Sequence, residues 1–385
     1  MKHRAFIIFF SIVFSVYGAV NYYIFITGWH AIPHRSYTST VYTAVFLVLS
    51  LSFIAGRFLE RKVLNRFSSL LVWIGSFWLG AMVYFLLFSV FFDIIRAVNF
   101  FFPFYSTEPR LKYSELKFLL FICVLAAVFV TVSLGFINAR IPRIKKLEIK
   151  ISKPSKFNAL KIAAATDIHL GTIVSRLMLE KIVKLINSLE ADIVLLPGDV
   201  VDEDIGPVIK QNLGETLRKI KSKYGIYAIT GNHEYIGGVG PACKYLEEHG
   251  INMLRDEYVL IENEIYIAGR EDRSIKQFSG RIRKPLEEIM NGIDKSKPII
   301  LMDHQPVKLI EAEKNGVDLQ LSGHTHHGQL WPFNFITKKV YELSRGYKTR
   351  GSTQYYVSCG AGTWGPPIRT GSKPEIIEIE LKFNT

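Results

Sequence analysis

Four runs of about twenty apolar residues, at 5–27, 38–56, 67–92 and 118–139, constrain this chain more than any other feature. Each is effectively free of charge, and each is long enough to cross a bilayer as a helix. Backbone polar groups in lipid must be satisfied within the segment, which favours helices. Residues 1–139 are therefore expected to form a four-helix transmembrane region. The first run is too long in its apolar core, and lacks a small-residue cleavage site behind it, to be a signal peptide. Beyond residue 139 the charged residues crowd in, so the 385-residue chain divides into a membrane part and a water-facing part.

The formal charge of +13 is partly local, because seven basic residues and one acid, Glu148, fall between Arg140 and Lys156. The segment 140–157 reads as a basic juxtamembrane linker, drawn to anionic headgroups or simply solvated and fixing topology. Lysine and arginine flank the spans unevenly. Lys2 and Arg4 precede the first, Arg57, Arg61, Lys62 and Arg66 follow the second, and Arg140, Arg143, Lys145 and Lys146 follow the fourth. This bias predicts a multi-pass plasma-membrane protein with both termini, and the C-terminal domain, in the cytoplasm. The loop 93–117 blurs that count with four basic residues and three acids. Asp93 and Arg96 there could pair on one helix face. The phenylalanines around them leave two readings open, an interfacial segment or an extension of the third helix. No ionisable residue lies in the middle of a span, so nothing points to an ion path. The three cysteines form no C-x-x-C pair and read as ordinary thiols. No nucleic-acid-binding motif is present.

From residue 158 the pattern changes to short apolar runs of strand length, at 159–166, 192–197, 225–230, 297–302 and 317–322. Between the first two, Met178, Ile182, Leu185 and Leu189 recur at helical spacing behind Ser175, a plausible N-cap. In α/β folds, sites gather where strands end. Here the strand ends carry "TDIHLG" with Asp167 and His169, "PGDVVD" with Asp199 and Asp202, and "TGNHEY" with Asn232, His233 and Glu234. They continue with "MDHQP", holding His304, and "LSGHTHHGQLWP", holding His324 and His326. Each cluster alone is weak. All five in this order, each after a strand-like run, form a specific constellation. If the last one continues its strand, His324 and His326 point to one side and Thr325 to the other. His327 is then out of phase, either touching substrate, supporting the ligands from behind or lying at the surface.

This constellation resembles the calcineurin-like metallophosphoesterases, whose signature runs D-x-H, G-D-x-x-D, G-N-H-(D/E), H, G-H-x-H. The resemblance covers roughly residues 158 to 382, which puts the phosphoesterase domain at 158–385, and the tail "GAGTWGPPIRTGSKPEI" looks like a membrane-associated bacterial subgroup. It implies an α/β fold, the αββα sandwich of that family, preceded by the four membrane helices. It also implies a site for two divalent cations, with Asp167, His169, Asp199 and His326 holding one, and Asp199, Asn232, His304 and His324 the other. Asp199 would bridge them, and Asn232 would add a neutral oxygen that leaves net positive charge for a phosphate. Imidazole with carboxylate suits manganese, iron or zinc. His233 resembles the histidine that faces the leaving group, and Asp202 the carboxylate that orients it or caps the next helix. Glu234 matches the motif without a clear role. The expected activity is hydrolysis of a phosphodiester, pyrophosphate or phosphomonoester bond, extending to a lipid-linked substrate because the spans hold the domain among membrane lipids. The alternative is an inactive scaffold or sensor on the same fold.

Overall fold

The computed structural model describes residues 2–104 and 110–384. Two compact units emerge, Met1–Leu134 and Gly135–Thr385. The first holds helices α1 (Lys2–Trp29), α2 (Ser36–Lys62), α3 (Arg66–Phe101) and most of α4 (Arg110–Ala139). All four are long and apolar enough, by length and composition, to cross a membrane. The third helix runs on to Phe101, so the start of the 93–117 loop extends α3, and residues 105–109 of that loop lie outside the described residues. Arg96 and Asp93 do form an ion pair on it, and Asp93 also accepts a hydrogen bond from Tyr23.

Apolar surface cannot by itself tell helix from lipid, so polar and steric contacts set the packing. Trp78 donates to Asn21 at 2.9 Å, joining α3 to α1, and Tyr42 donates to the Phe25 carbonyl at 2.9 Å, joining α2 to α1. The turn between α2 and α3 is closed by Asn65, which accepts from the Ser68 amide at 2.8 Å, while Ser68 Oγ accepts from the Asn65 amide at 3.0 Å. Gly56 and Gly75 let these two helices approach closely. A Cβ on Gly75 would lie 2.2 Å from the Phe53 nitrogen.

The second unit is a sandwich of two six-stranded sheets. The first sheet contains β1 (Arg143–Pro154), β2 (Ala159–Ala164), β3 (Ile193–Pro197), β4 (Ile226–Ile229), β5 (Asn252–Met253) and, inserted between β1 and β2, β12 (Glu375–Asn384). The second contains β6 (Glu257–Ile261), β7 (Ile265–Gly269), β8 (Ile299–Met302), β9 (Leu319–Ser322), β10 (Gly346–Arg350) and β11 (Thr353–Val357), in the order β10-β11-β9-β8-β7-β6. Strands β2 to β5 run parallel, as do β7, β8, β9 and β11.

The period of two along each strand explains the layering. In β3, Ile193 and Leu195 point between the sheets, while Val194 and Leu196 point outward. There they meet Met178, Leu179, Ile182 and Ile186 of α5 (Arg176–Ser188). In β8, Ile300 and Met302 face the inter-sheet core, and Ile299 and Leu301 face Leu286, Ile289 and Ala312 on the far side. The result is the αββα arrangement. Ser175 stands at the α5 N-cap position but makes no side-chain cap there.

The basic stretch expected to be a linker is instead largely an edge strand. β1 pairs in parallel with β12 from Arg143 onward, burying Ile149 and Ile151. Lys146 pairs with Glu378 at 2.9 Å, Lys153 with Asp318 at 2.6 Å, and Lys156 with Glu264 at 3.4 Å. Alternation of apolar residues through "KLEIKI" gives a strand one buried face, and a charge-rich opposite face suits a sheet edge.

The helix pair α2–α3 offers a direct test. Gly75→Ala should lower the thermal stability of the full chain in detergent, because the methyl group meets Phe53 backbone. Gly18→Ala should not, because nothing lies within 4 Å of its Cβ position. Equal melting curves for the two variants would contradict the close α2–α3 approach.

Candidate metal centre

The parallel strands β2, β3, β4, β8 and β9 all release their chains at one edge of the sandwich. Asp167 and His169 follow β2, Asp199 and Asp202 follow β3, and Asn232 and His233 follow β4. His304 follows β8, and His324 and His326 follow β9. The structure brings all nine together, and seven of them are buried, while Asn232 and His324 at the rim keep partial exposure.

Two groups form. In the first, Asp167, His169 and His326 offer ligand atoms within 4.8 Å of one another, and in the second Asp199, His304 and His324 do the same. The His169 and His326 Nε2 atoms are 2.9 Å apart, and His326 Nε2 is 3.5 Å from Asp167 Oδ1. Asp199 stands between the groups, with Oδ2 3.0 Å from His304 Nε2 and 3.9 Å from His169 Nε2. Asn232 Oδ1 lies 2.7 Å from His324 Nδ1.

The donor chemistry fits a cation. His304 Nδ1 donates to the Pro197 carbonyl at 2.8 Å, which leaves its Nε2 lone pair aimed at the Asp199 carboxylate. A lone pair against a carboxylate oxygen needs a proton or a metal between them. Nε2 of His304 and Nδ1 of His169 are buried without a hydrogen bond. Without metal, the charges redistribute accordingly. Burial would raise Asp199, but His304 and His233 outweigh it and hold the carboxyl well below its ordinary value. Burial would lower His304, but Asp199 outweighs it and holds the imidazole well above its ordinary value. Burial, with His233 beside it, pushes His169 down to about 3, and burial with His304 pushes His324 down to about 4. His326 is also driven well down, by burial and then by Arg369. Neutral imidazoles are the form that binds metals.

The reason expected for the His324–His326 pair does not hold. β9 ends at Ser322, and the chain then turns sharply, with φ of 70° at His324, 45° at His326 and 48° at His327. A left-handed turn, not an extended strand, sends His324 to one group and His326 to the other. His327 Nδ1 lies 3.1 Å from Ser344 Oγ, and the ring is buried.

Beside the groups, His233 Nδ1 lies 3.0 Å from Asp202 Oδ1. Burial would lower this histidine, but Asp199 and Asp202 push it up to about 9. Asp202 thus contacts His233 rather than capping a helix through that oxygen. Glu234 acquires a part in the architecture. Its Oε1 accepts from the Val201 amide at 2.8 Å, and its Oε2 from the Asp199 amide at 3.1 Å and the Gly231 amide at 2.7 Å. One buried carboxylate thereby ties the β3 loop to the β4 loop.

Sequence reasoning missed four supporting residues. Arg369, fully buried, donates to His326 Nδ1 at 2.9 Å and to the Gly362 carbonyl through Nε at 2.9 Å. Gln329 holds the tail loop, donating to the Trp364 and Pro366 carbonyls at 2.9 and 3.0 Å and accepting from the Trp364 amide at 3.1 Å. The Trp364 ring, half exposed, stands edge-on to His233 at 5.7 Å. Asp272, after β7, is buried and accepts from Gln305, which adjoins His304. Arg369 and Trp364 sit in the tail singled out by resemblance, but no spacing rule links a tail residue to a candidate ligand 43 positions away.

Glu234→Gln would set an amide donor against a backbone donor. Each buried donor so orphaned costs about 1–3 kcal/mol. The expected outcome is a clear fall in melting temperature together with reduced metal content. An unchanged melting temperature would remove Glu234 from this role.

The calcineurin-like phosphoesterase family profile matches residues 160–328. An "uncharacterized metallophosphoesterase" of Helicobacter pylori is 38% identical over 245 residues, covering 62% of this chain and 64% of its own length. This chain therefore spans just under two thirds of that relative. A second protein so described, from Aquifex aeolicus, is 33% identical, covering 66% of this chain and 98% of its own length. A "transmembrane protein with metallophosphoesterase domain" from Danio rerio is 33% identical, covering 64% of this chain and 59% of its own length. With the five strand-end motifs gathered at one sheet edge and a relative matched over nearly its whole length, this chain belongs to the calcineurin-like metallophosphoesterase family.

Proposed function

We propose that this chain is a membrane-anchored, dinuclear-metal phosphoesterase. The observation that carries this reading is the pair of ligand groups sharing Asp199, with the His233–Asp202 pair beside them. Asp167, His169, Asp199 and His326 would hold one divalent cation, and Asp199, Asn232, His304 and His324 the other. When bound, two such cations acidify water and neutralise charge developing on the phosphoryl oxygens.

The residues of the chain supply the rest. Asp202 fixes the His233 ring through Nδ1 and favours its protonated form, leaving Nε2 to donate toward the leaving oxygen or a phosphoryl oxygen. Glu234 holds the Asp199 loop against the Gly231 turn, so that the bridging carboxylate stays in register. Trp364 flanks His233 with a half-exposed aromatic face that could bear on the substrate's leaving group. The inactive-scaffold alternative finds no support in the ligand set, since none of the motif's ligand positions is replaced.

Asp199→Asn should abolish turnover of a chromogenic phosphodiester together with bound metal. His233→Ala should keep both metals and lose about 10²–10⁴-fold in turnover, the range for a general acid–base group. Loss of metal in His233→Ala as complete as in Asp199→Asn would overturn the role given to His233.

The finer reading is a lipid-linked phosphodiester or pyrophosphate substrate, met at the plasma membrane by a cytoplasmic domain. It is supported by the span at Ser114–Ala139, which runs directly into the phosphoesterase unit. Lys146, Lys153 and Lys156 pair with acids of the same unit and add no steering of an anionic substrate. Full-length protein in lipid nanodiscs should hydrolyse a lipid-linked phosphoester faster than its water-soluble counterpart. Equal rates would leave a general phosphoesterase parked at the membrane. The charge bias at Arg57–Arg66 and Arg140–Lys146 supports the orientation. A C-terminal reporter active only outside the cytoplasm would reverse it.

A further inference from the structure

The helix Phe333–Val340 buries none of its eight residues. Phe335, Ile336 and Val340 are 54, 58 and 67% exposed, and Trp331, just before the helix, is 51% exposed. Lys338 and Lys339 occupy its last turn. Scattered surface apolar residues are ordinary. An apolar cluster on one short helix, with two lysines in its last turn and left uncovered, marks a surface that something else covers.

The contacts at the root of this helix indicate what covers it. The strip 368–372 holds it on one side, where the Trp331 amide donates to Thr370 Oγ1 at 3.0 Å and the Thr370 and Gly371 amides donate to the Gln329 carbonyl at 3.0 and 2.9 Å. The same strip grips the last turn of α4. The Arg369 amide donates to the Gly135 carbonyl at 2.9 Å, and Asn138 Nδ2 donates to the Arg369 and Ser372 carbonyls at 2.8 and 2.9 Å. All of these residues belong to the second unit. The exposed helix is thus rooted beside the point where a span of mean hydropathy 2.8 ends.

We propose that Trp331 and the helix Phe333–Val340 lie in the headgroup boundary of the bilayer that α4 leaves, with Phe335, Ile336 and Val340 among the upper acyl carbons and Lys338 and Lys339 against anionic lipid phosphates. Tryptophan, phenylalanine and lysine are the residues that such an interfacial helix uses. The lysine stems can reach along apolar surface while their ammonium groups stay in the polar layer. The far end of the segment is tied to the ligand turn, since Thr325 Oγ1 donates to the Ser344 carbonyl at 2.6 Å and His327 meets the Ser344 hydroxyl. Docking this helix therefore holds the His324–His326 turn at the lipid surface. The inference rests on α4 spanning a bilayer and is independent of which phosphoester, if any, is hydrolysed.

The test places an environment-sensitive nitrobenzoxadiazole fluorophore on Ile336→Cys in the full-length chain. Cys123→Ala removes the exposed native thiol, and Cys243 and Cys359 are buried. Lys244→Cys, on a side chain 77% exposed elsewhere in the same unit, provides the comparison. Both proteins are reconstituted in vesicles of phosphatidylcholine with phosphatidylglycerol. Emission at 336 should be blue-shifted and quenched by doxyl-labelled lipid, while emission at 244 is neither. Lys338→Gln with Lys339→Gln should reduce the quenching at 336. Emission at 336 as water-like as at 244 would overturn the proposal. So would a blue shift without lipid quenching, which would mean that a second copy or another protein covers the helix.

Discussion

One buried carboxylate organises the phosphoesterase unit. Asp199 accepts from the His233 amide through Oδ1 at 2.8 Å and faces His304 through Oδ2, while its own amide donates to Glu234. A carboxylate so far from water costs several kcal/mol unless positive charge answers it. In this structure the answer comes from the His304 and His233 imidazoles, and a cation would take the place of the proton between His304 and Asp199. The surroundings are built to admit that carboxylate. A Cβ on Gly231 would fall 2.1 Å from Asp199 Oδ1, which explains why the turn before Asn232 and His233 begins with glycine. Gly323, before His324, meets Asp167 Oδ2 at 2.2 Å in the same sense.

The candidate ligands are held by backbone that residues with side chains seldom adopt. Asp167, His169, Asp199, His324 and His326 all have φ between 45° and 70°. Such conformations cost of order 1–3 kcal/mol each and persist where surrounding structure over-determines them. The over-determination is visible. The His169 amide donates to the Asp199 carbonyl at 3.0 Å, the Asp167 amide to the Gly198 carbonyl at 3.1 Å, and the His324 amide to Asp167 Oδ1 at 2.8 Å. Left-handed turns at the strand ends rotate neighbouring side chains by an amount that strand alternation does not allow. Adjacent motif residues can therefore serve different ligand groups.

Attachment to the membrane follows a similar economy. The end of α4, from Gly135 onward, belongs to the second unit. Its last turn is hydrogen bonded to the strip 368–372, and within a few residues the chain becomes β1 of the first sheet. Arg369 in that strip also reaches His326. The tail that resembles a membrane-associated subgroup thus touches both the last turn of α4 and a candidate ligand histidine.

The sequence by itself determined the four apolar spans, the α/β alternation and the identity of the residues now gathered at the sheet edge. Those features are local: span length, a period of two or 3.6, and a short motif behind each apolar run. It also carried a signal for β1 in the alternation of Leu147, Ile149 and Ile151, masked by the lysines between them. Only the tertiary structure decided that β1 lies at a sheet edge beside the C-terminal strand β12, since partners more than 200 residues apart leave no local trace. It decided that His324 and His326 diverge through a left-handed turn, because that backbone is stabilised by contacts from Asp167 and Ser344 rather than by its own sequence. It also assigned parts to Glu234, Gln329 and Arg369, whose hydrogen bonds reach across loops that sequence spacing cannot bring together.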